Sequence, residues 1–174
     1  FVFNNFAGER SFYEVVEQAG VEGYTEPDPR IDLSGVDVAR KILILMRESG
    51  IKADLEDIEN RSFLPVESLE AGSVSDFMET LKSQSEHFKK LSQQADDAGC
   101  KLKYVASFKD GKAEVGLQHI APEHPFYNLD GKDNIVLFYT DRYREQPLII
   151  KGAGAGAEVT ASGIFGDIIR TGNL

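Results

Sequence analysis

The stretch 23–41 gathers Glu26, Asp28, Asp32, Asp37 and Lys41, side chains able to bind charged groups and move protons. Two prolines, Pro27 and Pro29, stiffen the loop and fix where Glu26 and Asp28 point. A stiff loop loses little entropy when held in one pose, which suits a site. Asp37 and Lys41 stand four positions apart, so on a helix they share a face. An acid–lysine pair on the first turns of a helix, facing a rigid acidic loop, can orient a small polar substrate and transfer a proton. The same residues admit a plainer reading. Such a pair on a solvated helix face contributes roughly a few tenths of a kcal/mol, and the proline-rich loop can be an exposed connector.

A second candidate is the alternation of Gly152, Gly154 and Gly156 with alanines, after a strand-like segment (147–151) and before a helix. It resembles a phosphate-cradling dinucleotide loop. That fold needs a further strand and an acid about 20 residues on, and only 17 residues follow Ala157. The glycines can instead let backbone approach a cofactor held by another domain, or form a flexible turn. His87, His119 and His124 lack metal-ligand spacing, so no metal site is expected; His124 is a weak site candidate. Cys100 is the one cysteine and has no activating partner in sequence.

Elements must position these groups. Ser11 and Glu14 have capping-box spacing and predict a helix over 12–20. The two X-Pro pairs argue against helix in 23–34. Ser34 is the expected cap of a helix over 35–49 that Gly50 closes. A loop or short strand then runs to about residue 72, and Ser73 or Ser75 opens one long helix to Ala98. Beyond Gly99 the period becomes two: strands at 101–108 and 113–120 flank a Gly111 turn. Further strands are expected at 134–140 and 147–151, and a helix at 158–171. Residues 1–6 read as the end of a strand. The expected class is α+β, with helices packed on a mainly antiparallel or mixed sheet, plus a C-terminal strand–glycine loop–helix.

The 174 residues carry a net charge of -10 and a pI near 4.8. Residues 1–97 hold 20 acidic and 10 basic side chains, and residues 98–174 hold 9 of each. With no basic stripe, nucleic-acid and membrane-surface binding are disfavoured. No apolar run reaches the roughly 18 residues of a membrane span. A lone cysteine suits a reducing, cytoplasmic setting. Asn60-Arg61-Ser62 matches a glycosylation tripeptide of a kind common by chance.

Three spaced segments resemble one family, the homoserine dehydrogenases. They are 23–41, the loop with His124-Pro125-Phe126, Leu129, Gly131 and Asp133-Asn134, and 147–165 with its glycine loop. The ending after Asp167-Ile168-Ile169-Arg170 looks most like the C-terminal part of the bifunctional aspartokinase–homoserine dehydrogenases. The resemblance implies NAD(P)-dependent interconversion of L-aspartate 4-semialdehyde and L-homoserine, on the way to threonine and methionine. It makes Lys41 and Asp37 catalytic, Glu26, Asp32 and Asp37 substrate-binding, and Gly152, Gly154 and Gly156 a border of NADP or NAD. Ile31 stands where the family usually has an acid. The resemblance further implies a catalytic and dimerisation domain over 1–151, a homodimer through the sheet, and a glycine loop and helix over 152–174 that return to a nucleotide-binding domain upstream. The isolated chain is then expected to be inactive. A non-catalytic dimerisation module is the alternative.

Overall fold

The computed structural model describes residues 1–6, 10–131, 133–154 and 156–172. The chain forms two compact units, 1–127 and 128–174.

The first unit opens with a short helix α1 (Val2–Asn5), where the sequence suggests a strand. The aromatic side chains explain the difference. Phe3 and Phe6 are three apart, so a helical turn carries both into the aromatic core. Helix α2 (Phe12–Val21) starts as expected. Ser11 Oγ accepts from the Glu14 amide at 3.2 Å, and Glu14 Oε2 accepts from the Ser11 amide at 2.8 Å. Its buried face is Phe12, Val15, Val16 and Ala19.

Segment 23–34 is only partly extended, because α3 (Pro29–Leu33) is helical. Proline bars helix in the residue before it, and Asp28 is indeed extended. At the first helical position Pro29 itself fits, since its missing N–H would have had no partner there. Helix α4 (Val36–Glu48) follows after two residues. Its cap is Gly35 rather than Ser34, although Ser34 Oγ does accept from the Val36 amide at 3.3 Å.

A 3-10 turn (Leu55–Asp57) leads into β1 (Ile58–Arg61), then α5 (Val66–Leu69). The long helix expected next is two helices, α6 (Val74–Ser83) and α7 (Ser85–Asp97). Hydroxyls compete for carbonyls at the break: Thr80 donates to Phe77 O and Ser83 to Thr80 O. Strands β2 (Lys101–Lys109) and β3 (Lys112–Ile120) form a hairpin. Asp110 and Gly111 both have positive φ, as a tight two-residue turn demands. β1 joins β3 in parallel, giving a mixed sheet of order β1-β3-β2.

Two apolar clusters fill this unit. In the first, Phe12 stacks on Phe88 at 4.3 Å and meets Phe6 and Phe63 edge-on, with Phe77 and Leu81 beside them. In the second, Ala39, Leu43 and Met46 of α4 pack on Ile58, Ala113 and Val115 of the sheet. Val105, Ser107 and Gln118, on the other face of the hairpin, belong to neither cluster.

The second unit holds β4 (Asp133–Phe138), β5 (Leu148–Ala153) and α8 (Ala157–Gly172). β4 and β5 pair antiparallel, with Asn134 opposite Gly152. No residue of β5 or α8 is buried. Ile164, Phe165, Ile168 and Ile169 of α8 are exposed, as are Leu148, Ile149 and Ile150 of β5.

Candidate active site

Each acidic candidate in 23–41 is placed by a local device. Asp28 caps α3, its Oδ1 accepting from the Arg30 amide at 3.1 Å. Its carboxylate also takes a two-pronged ion pair from Arg30, with Nη2 to Oδ2 at 2.6 Å and Nε to Oδ1 at 2.8 Å. The guanidinium beside it holds the Asp28 carboxyl below its ordinary pKa. Arg30 Nη1 reaches on to the Ala71 carbonyl at 3.0 Å, which ties the loop to the segment before α6. Asp32 Oδ2 accepts the Glu26 backbone amide at 2.9 Å, closing the loop on itself. The Glu26 side chain is exposed and, among the described residues, makes no hydrogen bond or ion pair.

Asp37 and Lys41 share one face of α4, as their spacing requires. Lys41 Nζ lies 2.8 Å from Asp37 Oδ2, with side chains 54% and 52% exposed. Glu26 and Asp32 are therefore coupled through one amide, and Asp37 and Lys41 through an ion pair. Among the described residues no hydrogen bond or ion pair joins the two couples.

Two residues link α3 to α4, and here the structure shows partners that sequence reasoning missed. Gly35 has φ +81. A Cβ there would stand 2.1 Å from the Tyr104 hydroxyl and 2.9 Å from Asn60 Oδ1. Asn60 Nδ2 donates to the Ser34 carbonyl at 2.7 Å, and the Tyr104 hydroxyl donates to Asn60 Oδ1 at 3.1 Å. The Tyr104 ring lies 5.8 Å from Phe63 and 6.5 Å from Phe3. Burial raises the Tyr104 pKa, so its hydroxyl stays a donor at neutral pH. The one sequence signal at Asn60 was the glycosylation tripeptide, and the amide nitrogen it concerns is already engaged.

Two of the histidines make hydrogen bonds within the chain. His87 Nε2 is 2.8 Å from the Phe63 carbonyl. His124 Nδ1 accepts the Phe126 amide at 3.1 Å. No cluster that could hold a metal occurs among the described residues.

The glycine candidates lie in the second unit. Gly152 is inside β5 rather than in the loop after it. A Cβ on Gly154 would meet Asn134 Nδ2 at 1.9 Å, so Asn134 itself requires that glycine. Gly152 and Gly156 face open space where a Cβ would stand, and Gly156 has φ +132. Ala155 lies outside the described residues.

Known proteins match almost the whole of this chain. The family model for homoserine dehydrogenase matches residues 1–169. The chain is 50% identical over 172 residues to the chloroplastic bifunctional aspartokinase/homoserine dehydrogenase 1 of Arabidopsis thaliana, covering 98% of this chain and 19% of that protein. It is 40% identical to a homoserine dehydrogenase of Emericella nidulans, covering 98% of this chain and 50% of that one. A crystal structure of a Candida auris protein of unknown function superposes with a TM-score of 0.88 at 38% identity, over 98% of this chain and 49% of that one. The chain thus spans half or less of the length of these relatives.

Proposed function

Because the chain belongs to the homoserine dehydrogenase family, we propose that it is the substrate-binding and catalytic part of an enzyme interconverting L-aspartate 4-semialdehyde and L-homoserine. The observation that carries this reading is the Lys41–Asp37 pair, 2.8 Å apart on the first turns of α4. The Glu26 carboxylate, without a partner among the described residues, supports it.

A bound nicotinamide would supply or take the hydride. The residues of this chain do the rest. Glu26 and Asp32, on a loop fixed by the Asp28–Arg30 pair, offer carboxylate charge to the substrate ammonium. Lys41 gives the proton to the aldehyde oxygen during reduction and receives it from the hydroxyl during oxidation. Asp37 holds the Lys41 ammonium in place while it does so. Open space over Gly152 and Gly156 suits close approach of a dinucleotide to backbone; Gly154 does not offer it, because Asn134 fills that side. Asp32 serves in place of the acid absent at Ile31.

NADP or NAD is the cofactor in this reading, held mainly by a nucleotide-binding portion outside these 174 residues, so the isolated chain is inactive. The pathway is threonine and methionine biosynthesis. The setting is a reducing compartment, the cytoplasm; no described helix is long and apolar enough to cross a membrane. Neither nucleic acid nor membrane is a partner. The functional form is a homodimer through the sheet face bearing Val105, Ser107 and Gln118.

The test is homoserine oxidation by the longest natural polypeptide that carries these residues, assayed with each nicotinamide cofactor. Lys41→Ala is expected to lower kcat at least about 100-fold, the size of a lost general acid–base. Because Lys41 is half exposed, Tm should move by less than about 2 °C. Turnover near wild type in Lys41→Ala would refute the assignment. Strong dimerisation with no turnover in the parent would favour the non-catalytic alternative, to which the exposed apolar residues of β5 and α8 also lend support.

A further inference from the structure

Among the described residues Lys41 and Asp37 have only each other as side-chain partners, and both are half exposed. What aims them is therefore the backbone of α4. The middle of that helix is fixed by Ala39, Leu43 and Met46 in the second core cluster. Its start is fixed by something else. The first helical hydrogen bond runs from the Ala39 amide to the Gly35 carbonyl at 2.9 Å, so the pose of Gly35 sets where the first turn begins. Asp37 is two residues on and Lys41 six.

We infer that Asn60 is a positioning residue of this site, gripping from β1 the Ser34–Gly35 turn that sets the aim of Asp37 and Lys41. The inference rests on the dehydrogenase reading above for what the pair does, and on geometry alone for what holds it. Both ends of the Asn60 amide are used in a directed way. The nitrogen donates to Ser34 O, and the oxygen accepts from Tyr104. Reversing the amide would set acceptor against acceptor at the Ser34 carbonyl, so that carbonyl fixes which way the amide points. Tyr104 in turn is backed by Phe3 and Phe63 of the first core cluster. Gly35, in a left-handed pose, is the residue that fits beneath that hydroxyl. A line of contacts thus runs from the aromatic core through Tyr104 and Asn60 to the turn.

Asn60 is itself exposed. Hydrogen bonds at such a place add little to global stability, so their loss should spoil aim before it spoils folding. A small displacement of a reacting group can lower turnover about 100-fold.

The experiment compares Asn60→Ala, Asn60→Asp and Tyr104→Phe in the longest natural polypeptide that carries these residues. Asn60→Ala and Asn60→Asp both lack the donor to Ser34 and should lower kcat for homoserine oxidation by about 10- to 100-fold, with KM within about threefold. Tyr104→Phe keeps the ring and the Asn60 donor and should lose less. In a Lys41→Ala background, Asn60→Ala should add less than about twofold, because the two act through one group. Independently of activity, the amides of Ala39, Arg40 and Lys41 should exchange faster with solvent in Asn60→Ala, while those of α6 and α7 stay as they were. Unchanged kcat and unchanged exchange would overturn the inference. So would a full multiplicative loss in the Lys41→Ala background. If the parent polypeptide oxidises no homoserine, the functional reading falls, and exchange at Ala39–Lys41 alone decides the role of Asn60.

Discussion

Gly35 shows how one residue can tie a site to its scaffold. Its positive φ costs a side-chain-bearing residue about 1–2 kcal/mol. The added methyl would also collide with a hydroxyl whose ring packs against Phe3 and Phe63. Gly35→Ala is therefore expected to destabilise the first unit by about 2–4 kcal/mol in a urea titration. It should also lower activity by more than its loss of folded protein explains. The acids and the lysine of this segment were legible in the sequence, because charge and helical spacing are written in residue types. Their supports were not. Asn60 is 26 positions from Ser34 and Tyr104 is 44 from Asn60, and neither carries a local pattern that would reveal the contact.

Among the elements, α3 best shows where local rules compete. Two prolines argue for an extended loop, yet one of them begins a helix because Asp28 precedes it as a cap. That cap depends on charge. Arg30 holds the Asp28 carboxyl below its ordinary pKa in the folded chain. A depressed acid contributes stability that is present above its unfolded pKa, about 3.9, and lost as pH falls through the lower folded value. Local order in 26–34 should therefore hold through neutral and mildly acidic pH and fail at strongly acidic pH. Asp28→Asn should remove that dependence. Amide exchange of Ser34, whose N–H bonds to Arg30 O, measured against pH in both forms, checks this. The capping box of α2 and the hairpin turn at Asp110-Gly111 were readable because each is complete within four residues. The break between α6 and α7 was hidden, since apolar spacing carries across it and hydroxyl–carbonyl bonds decide it.

On the scale of the whole molecule, the α+β class was legible from the change of period at Gly99, and the structure agrees. The parallel place of β1 was not, for four residues of mixed polarity carry no period of their own. The surfaces divide by what they leave uncovered. In the first unit, Val105, Ser107 and Gln118 form a sheet face outside both cores. If that face joins two copies, Val105→Glu should convert a dimer to a monomer in sedimentation while the far-UV spectrum stays the same. Each copy would place the charge against its own symmetry mate. In the second unit, β5 and α8 carry their apolar residues outward. The parallel pairing of β1 has a further consequence, in time rather than in space. The β2–β3 hairpin closes across a two-residue turn, whereas Ile58 must find Ala113 fifty-five positions away. Local closure is fast and distant closure slow, so the hairpin should form first and β1 should join it late. Asn60 arrives with β1. The turn that aims Lys41 is thus secured late in folding, and a chain halted before that step would lack both the Asn60 grip and the Ile58 part of the second core cluster. Pulse-labelled exchange should show Ala39–Lys41 gaining protection together with β1, after the hairpin.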